Sequence, residues 1–91
     1  MDVERKLVLY TGRVQGVGFR QTTVELAREY ALGGTVRNLA DGRVELIAEG
    51  SKADIQSLLA AIRQYFSGYI VDEKQQTQTP EGLKPPLRIG W

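Results

Sequence analysis

Two glycines and an arginine lie close together near the start of the chain, in the stretch Arg13-Val14-Gln15-Gly16-Val17-Gly18-Phe19-Arg20. Glycines at alternate positions let the backbone adopt left-handed conformations, and successive N–H groups can then converge on a tetrahedral anion. The guanidinium of Arg20 can add two parallel hydrogen bonds to phosphate oxygens. The stretch therefore predicts a phosphate-binding loop.

Two better-known glycine motifs do not fit this stretch. The nucleotide-binding P-loop ends in Gly-Lys-Ser/Thr, where this chain has Gly18-Phe19-Arg20. The dinucleotide fingerprint requires a third glycine where Gln21 stands. Gly16 and Gly18 taken alone also fit a tight turn, so the prediction of a phosphate site depends on the complete stretch.

The composition limits the chemistry that is available. The chain has no cysteine and no histidine, which excludes thiolate or imidazole catalysis and the usual zinc sites. Its net charge of +1 lacks the basic excess of nucleic-acid binders. Residues 5–24 nevertheless carry four basic side chains and no acidic one. We therefore expect an anionic small molecule as partner, with no nucleic acid, no metal and no cofactor.

The length of 91 residues suits one compact domain, which we expect to span residues 1–91. The longest apolar run, Leu58–Ile62, is much too short to cross a membrane, and the charged N-terminus does not resemble a signal peptide. A cytoplasmic protein without a membrane partner is expected, and no feature of the sequence requires more than a monomer.

Hydrophobic periodicity and turn residues predict seven elements. A strand over 6–12 precedes a helix over 21–32, which Gly33-Gly34 is expected to end. Two strands over 35–39 and 43–49 form a hairpin around Asp41-Gly42, and a capping box at 51–54 begins a helix that runs to Phe66. An edge strand over 69–74, a polar loop over 75–86 and a final strand from Leu87 to Trp91 complete the chain.

This order predicts an α+β fold, the ferredoxin-like split βαβ sandwich, with two helices on one face of an antiparallel sheet and a short C-terminal strand. The glycine loop then lies between the first strand and the first helix, where the helix dipole also favours an anion. Asn38 shares a strand face with the apolar Val36 and is expected beside that loop.

Two stretches carry a resemblance to a known family: 12–20, Gly-Arg-Val-Gln-Gly-Val-Gly-Phe-Arg, and 34–45, Gly-Thr-Val-Arg-Asn-Leu-Ala-Asp-Gly-Arg-Val-Glu. Both resemble the signatures of acylphosphatases. The resemblance continues through Ala48-Glu49-Gly50, covers residues 7 to about 66 well, and is poor over the last 25. It implies a ferredoxin-like, single acylphosphatase-like domain.

The resemblance also implies an activity, the hydrolysis of the carboxyl–phosphate bond of acyl phosphates to a carboxylate and inorganic phosphate. Arg20 would bind the phosphoryl group and Asn38 would position the attacking water. The substrate would be a small-molecule acyl phosphate, with inorganic phosphate as product or inhibitor. The backbone that binds phosphate would be formed by Gln15, Gly16, Val17, Gly18, Phe19 and Arg20.

Three other interpretations compete with this one. One is a non-catalytic phosphate-ligand-binding or regulatory module on the same fold, against which the presence of both Arg20 and Asn38 argues. Another is an RNA-binding module, which would need aromatic residues on the central strands, and residues 43–50 contain none. The last is a domain of a larger maturation enzyme, which the single-domain length disfavours.

Overall fold

Alternating apolar residues form the centre of the sheet. In β1 (Glu4–Gly12) the side chains of Val8 and Tyr10 are fully buried, and in β3 (Val44–Gly50) three alternate side chains are buried in the same way. This period of two places the apolar side chains of both strands on one face. The computed structural model describes residues 2–90.

Two helices cover that buried face. The longer one, α2 (Lys52–Tyr65), buries four apolar residues, and the Ser51 hydroxyl caps it by accepting a hydrogen bond from the Asp54 N–H at 3.1 Å, as the capping box predicts. The shorter one, α1 (Phe19–Ala27), buries Phe19, Thr23 and Ala27.

The sheet contains five strands in the order β4-β1-β3-β2-β5, where β2 is Gly33–Asn38, β4 is Ile70–Gln78 and β5 is Leu87–Ile89. The first four pair antiparallel. The short β5 pairs parallel to β2, so the complete sheet is mixed. The element order and the two helices on one face confirm the ferredoxin-like prediction.

The first helix ends earlier than predicted. It stops at Ala27 rather than at Leu32, because the N–H groups of Arg28 and Tyr30 bond to carbonyls three residues back, which tightens the chain into turns. The expectation that Gly33-Gly34 ends this helix is therefore wrong.

Both of these glycines belong to β2, opposite Glu49 and Ala48 of β3. A Cβ on Gly34 would collide with the Ile47 carbonyl, and φ of Gly34 is +132°. Close approach of two backbones, and not helix capping, explains this glycine.

The edge strand is longer than predicted. Residues 75–78, placed in a loop by their polarity, continue β4 and pair with residues 5–8 of β1. Backbone pairing at a sheet edge does not require apolar side chains, which is why polarity was a poor guide here. The last strand ends at Ile89, and the prediction for Trp91 lies outside the described residues.

Candidate active site

The glycine loop between β1 and α1 adopts the predicted left-handed conformations. Gly16 has φ of 76° and Gly18 has φ of 77°. Among the described residues, no atom lies within 4 Å of a Cβ built on either glycine. Glycine is therefore required at both positions by the backbone conformation rather than by packing.

Gly18 is also the residue that precedes the first turn of α1. Among residues 2–90, no side chain caps this end, and the first turn contains no acidic residue. The first helical hydrogen bond runs from the Thr22 N–H to the Gly18 carbonyl at 2.9 Å. The N–H groups ahead of Thr22 thus have no acceptor within the helix, at the end where the helix dipole is positive.

A pocket of about 290 Å³ opens at this helix end. It contains both residues for which the resemblance implies a catalytic role, Arg20 and Asn38, although 18 positions separate them in the sequence. Its lining is Val14, Gly16, Gly18, Phe19, Arg20, Gln21, Asn38 and Ile89. A larger depression of about 480 Å³ lies at the end of α2 beside β4 and shares no lining residue with this pocket.

Asn38 lines the pocket from the end of a strand. Asn38 is the last residue of β2, opposite Val44, and its side chain is exposed. Within the described residues 2–90, no group forms a hydrogen bond with the side-chain amide of Asn38. This amide is accessible to a water or a ligand and can offer both donors and an acceptor.

The turn that follows Asn38 is held by a carboxylate. Asp41 accepts hydrogen bonds from the backbone N–H of Arg43 at 3.0 Å and from its Nε at 2.8 Å. The backbone N–H of Arg43 is the largest cause that holds the pKa of Asp41 below its usual value. The ionised turn therefore fixes the end of the hairpin that carries Asn38.

Gln15 connects the glycine loop to that hairpin. Its Nε2 donates to the carbonyl oxygens of Leu39 at 2.8 Å and Arg43 at 3.0 Å. The resemblance implies a backbone role in phosphate binding for Gln15, and the side chain has a second role that the sequence analysis missed. It fixes the distance between the loop and the strand end that carries Asn38.

The remaining predicted loop residues differ in their surroundings. The Val17 side chain is 39% exposed and does not line the pocket, so only its backbone could contact a phosphate. The Phe19 ring is 1% exposed and stacks on Phe66 with ring centroids 4.4 Å apart, while Tyr10 lies at 5.0 Å. Phe19 thereby anchors the first turn of α1 to the core, next to the pocket.

Three pocket residues were not predicted as site residues: Val14, Gln21 and Ile89. Val14 is 1% exposed and was readable as an apolar residue in a polar loop. Ile89 lies on β5, opposite Val36, in the region where the resemblance is poor. No local sequence signal indicates that it reaches the pocket.

Within residues 2–90 no group of three or more His, Cys, Asp or Glu side chains is arranged to hold a metal ion. In the same range no helix is long and apolar enough to span a membrane.

Comparison with known proteins gives consistent results. The acylphosphatase family model matches residues 6–84. An acylphosphatase of Synechococcus sp. is 45% identical over 83 residues, which cover 90% of this chain and 88% of that protein. One of Trichormus variabilis is 42% identical over 81 residues, covering 85% and 77%. The crystal structure of acylphosphatase from Bacillus subtilis matches with a TM-score of 0.85 and 33% identity, over 99% of this chain and 100% of that one.

A ferredoxin-like domain that places a loop with two left-handed glycines, an arginine and an asparagine in one pocket at a helix end has the features expected of a small phosphate-handling enzyme. The matches over nearly the whole length make the assignment specific: the chain belongs to the acylphosphatase family. The predicted family is confirmed.

Proposed function

We propose that the protein hydrolyses the carboxyl–phosphate bond of small acyl phosphates, with the phosphoryl group bound by the loop over 15–20 and Arg20, and the attacking water oriented by Asn38. Membership in the acylphosphatase family supports the reaction. The roles of the residues rest chiefly on one observation, the joint presence of Arg20, Asn38 and the two left-handed glycines in one pocket.

The reaction suits a chain that has no histidine. The oxygen of water bonds to phosphorus while the bond from phosphorus to the carboxyl oxygen breaks, which gives a carboxylate and inorganic phosphate. A carboxylate is a good leaving group and does not need a general acid to protonate it. Catalysis then consists of binding the phosphoryl oxygens, stabilising their charge and placing a water in line.

The electrostatics of the pocket favour such a substrate. The N-terminus of α1, whose first turn contains no acidic residue, and the Arg20 guanidinium both attract negative charge. The neutral amide of Asn38 can bind a water without repelling the phosphoryl group and without changing charge with pH. Inorganic phosphate, as the product, is expected to compete for the same loop. We include in the proposal a monomer that acts in the cytoplasm.

The role of Asn38 can be tested by separating binding from turnover. Asn38→Ala should lower kcat for benzoyl phosphate by about 10² to 10³, the usual cost of losing one positioned polar group in a transition state. The inhibition constant of inorganic phosphate should stay within about twofold of the wild type, because the loop and Arg20 are unchanged.

Arg37→Ala is the matched control. Arg37 is the preceding residue, and its Nε pairs with Glu45 at 2.9 Å, away from the pocket lining. The Arg37→Ala variant should have the kcat of the wild type. If Asn38→Ala lost phosphate inhibition together with turnover, Asn38 would be a binding or structural residue and the proposed division of roles would be wrong.

A further inference from the structure

A segment of eight residues, 79–86, connects β4 at one edge of the sheet to β5 at the other, and we call it the strap. It contains all three prolines of the chain. Because proline has no N–H and a fixed φ, these residues cannot hold the strap through their own backbone donors. The backbone N–H donors that hold it must come from its other residues.

One buried carboxylate supplies those contacts. Glu49 of β3 is 2% exposed, and its two oxygens accept hydrogen bonds from three successive backbone N–H groups of the strap. The donors are Glu81 at 2.9 Å, Gly82 at 3.0 Å and Leu83 at 3.1 Å. A carboxylate that accepts several N–H donors forms charge-assisted bonds, which are stronger than neutral ones.

A buried carboxylate also needs a positive partner, and β1 provides it. The Nη1 of Arg5 donates to Glu49 Oε2 at 2.7 Å, and its Nε donates to Gln78 Oε1 at 2.8 Å, at the end of β4. Arg5, Glu49 and Gln78 are direct neighbours across three strands. The anchor of the strap is therefore part of the sheet itself.

The next position across the sheet is a glycine, which lets the strap lie close. Gly33 of β2 pairs with Glu49, and a Cβ there would collide with the backbone of Leu83. The strap crosses β2 at this point and continues into β5. There the N–H of Gly90 donates to the Val36 carbonyl at 2.9 Å, next to Ile89, which lines the pocket.

We propose that Glu49 is a positioning residue for the active site, which holds the strap so that β5 places Ile89 as a wall of the pocket that contains Arg20 and Asn38. Ile89 shields the pocket from bulk water on the β5 side and offers an apolar surface to the substrate. Water exclusion strengthens the electrostatic interactions on which the reaction depends. This inference rests on the proposed function and assigns new roles to Glu49 and Ile89.

The test is a double-mutant cycle on the full chain with benzoyl phosphate as substrate. Glu49→Gln should lower kcat/KM about tenfold, as expected when a site residue is displaced by a fraction of an ångström. Ile89→Ala should lower it by a similar factor. The kcat/KM of the double variant should lie within about twofold of that of the less active single variant, because Glu49 acts through Ile89.

Glu73→Gln serves as the matched control. Glu73 also forms a carboxylate–arginine pair, with Arg63 and with both hydrogen bonds at 2.9 Å, but on the β4 edge. It should lower the melting temperature and leave kcat/KM unchanged. All rates are measured well below the melting temperature of each variant, so that a loss of stability alone does not change them.

Several results would overturn the inference: a kcat/KM of Glu49→Gln within twofold of the wild type, factors that multiply in the double variant, or a normal kcat/KM of Ile89→Ala. Ile89→Ala decides alone if Glu49→Gln does not fold. Wild-type turnover together with multiplied factors would reject only this inference. A folded wild type without turnover would instead reject the proposed function.

Discussion

At the scale of single residues, the site divides its work between charge and geometry. In the proposed site, Arg20 supplies the charge, the two glycines supply the backbone conformation, and Asn38 supplies a neutral amide. The residue types and spacing of the loop predicted the left-handed conformations of Gly16 and Gly18, and the anion site itself stays a prediction. They could not predict the side-chain role of Gln15, because its acceptors lie 24 and 28 positions away.

That role leads to a prediction for Gln15→Ala. The variant loses two hydrogen bonds to exposed carbonyls that water can replace, so the free energy of unfolding should fall by only about 1 kcal/mol. The kcat/KM for benzoyl phosphate should fall about tenfold, because the loop is no longer fixed relative to the hairpin that carries Asn38. Steady-state kinetics and urea denaturation measure the two effects.

Gln75→Ala is the control for this change, since the Gln75 amide donates to Glu73 at 2.8 Å on the opposite edge of the sheet. It should leave kcat/KM unchanged. A Gln15→Ala variant with wild-type kcat/KM and lower stability would show that the Gln15 side chain contributes to the fold alone.

At the scale of elements, the sequence predicted those that have strong periodicity or a cap. The second helix, with its capping box and five apolar positions, was predicted close to its observed bounds, Lys52–Tyr65. The predictions for the end of the first helix and for the polar half of β4 were wrong, because backbone contacts with distant parts of the chain determine both. Gly34 is needed where two strands approach closely, and residues 75–78 pair through their backbone.

The strap gives the element-scale prediction, which concerns acid. Burial disfavours the charged form of Glu49, but the N–H of Glu81 and the Arg5 guanidinium, followed by the N–H groups of Leu83 and Gly82, outweigh it and hold the pKa of Glu49 below its usual value of 4.5. A lowered pKa means that the ionised carboxylate stabilises the fold above about pH 4.5, and that this contribution is lost as the pH falls through the lowered value.

Urea denaturation at pH 6 and pH 3 tests the direction of this pH dependence of stability. The free energy of unfolding should fall less between these two pH values in Glu49→Gln than in the wild type. The Glu81 carboxylate, 3.8 Å from Arg5, is the other acidic group at the anchor and is present in both proteins. Equal losses in the two proteins would mean that Glu49 does not anchor the strap through its charge.

At the scale of the whole molecule, the order of elements determined the fold class, and the first four strands, β1 to β4, follow it. The parallel pairing of β5 with β2 could not be predicted, because it depends on the path of the strap across the open face of the sheet. The same path brings Ile89 to a pocket that is otherwise built from the first 38 residues. In the proposed arrangement, this path connects the carboxylate of Glu49, which does not line the pocket, to the site.

The most direct test of the account is inhibition of benzoyl phosphate hydrolysis by inorganic phosphate, measured for the wild type and Arg20→Ala with a metal chelator in the buffer. The wild type should turn over at full rate despite the chelator and should be inhibited competitively. Arg20→Ala should lose at least about 10² in kcat/KM together with phosphate inhibition. Equal phosphate inhibition in the two proteins, or a requirement for metal, would contradict the proposed phosphate site.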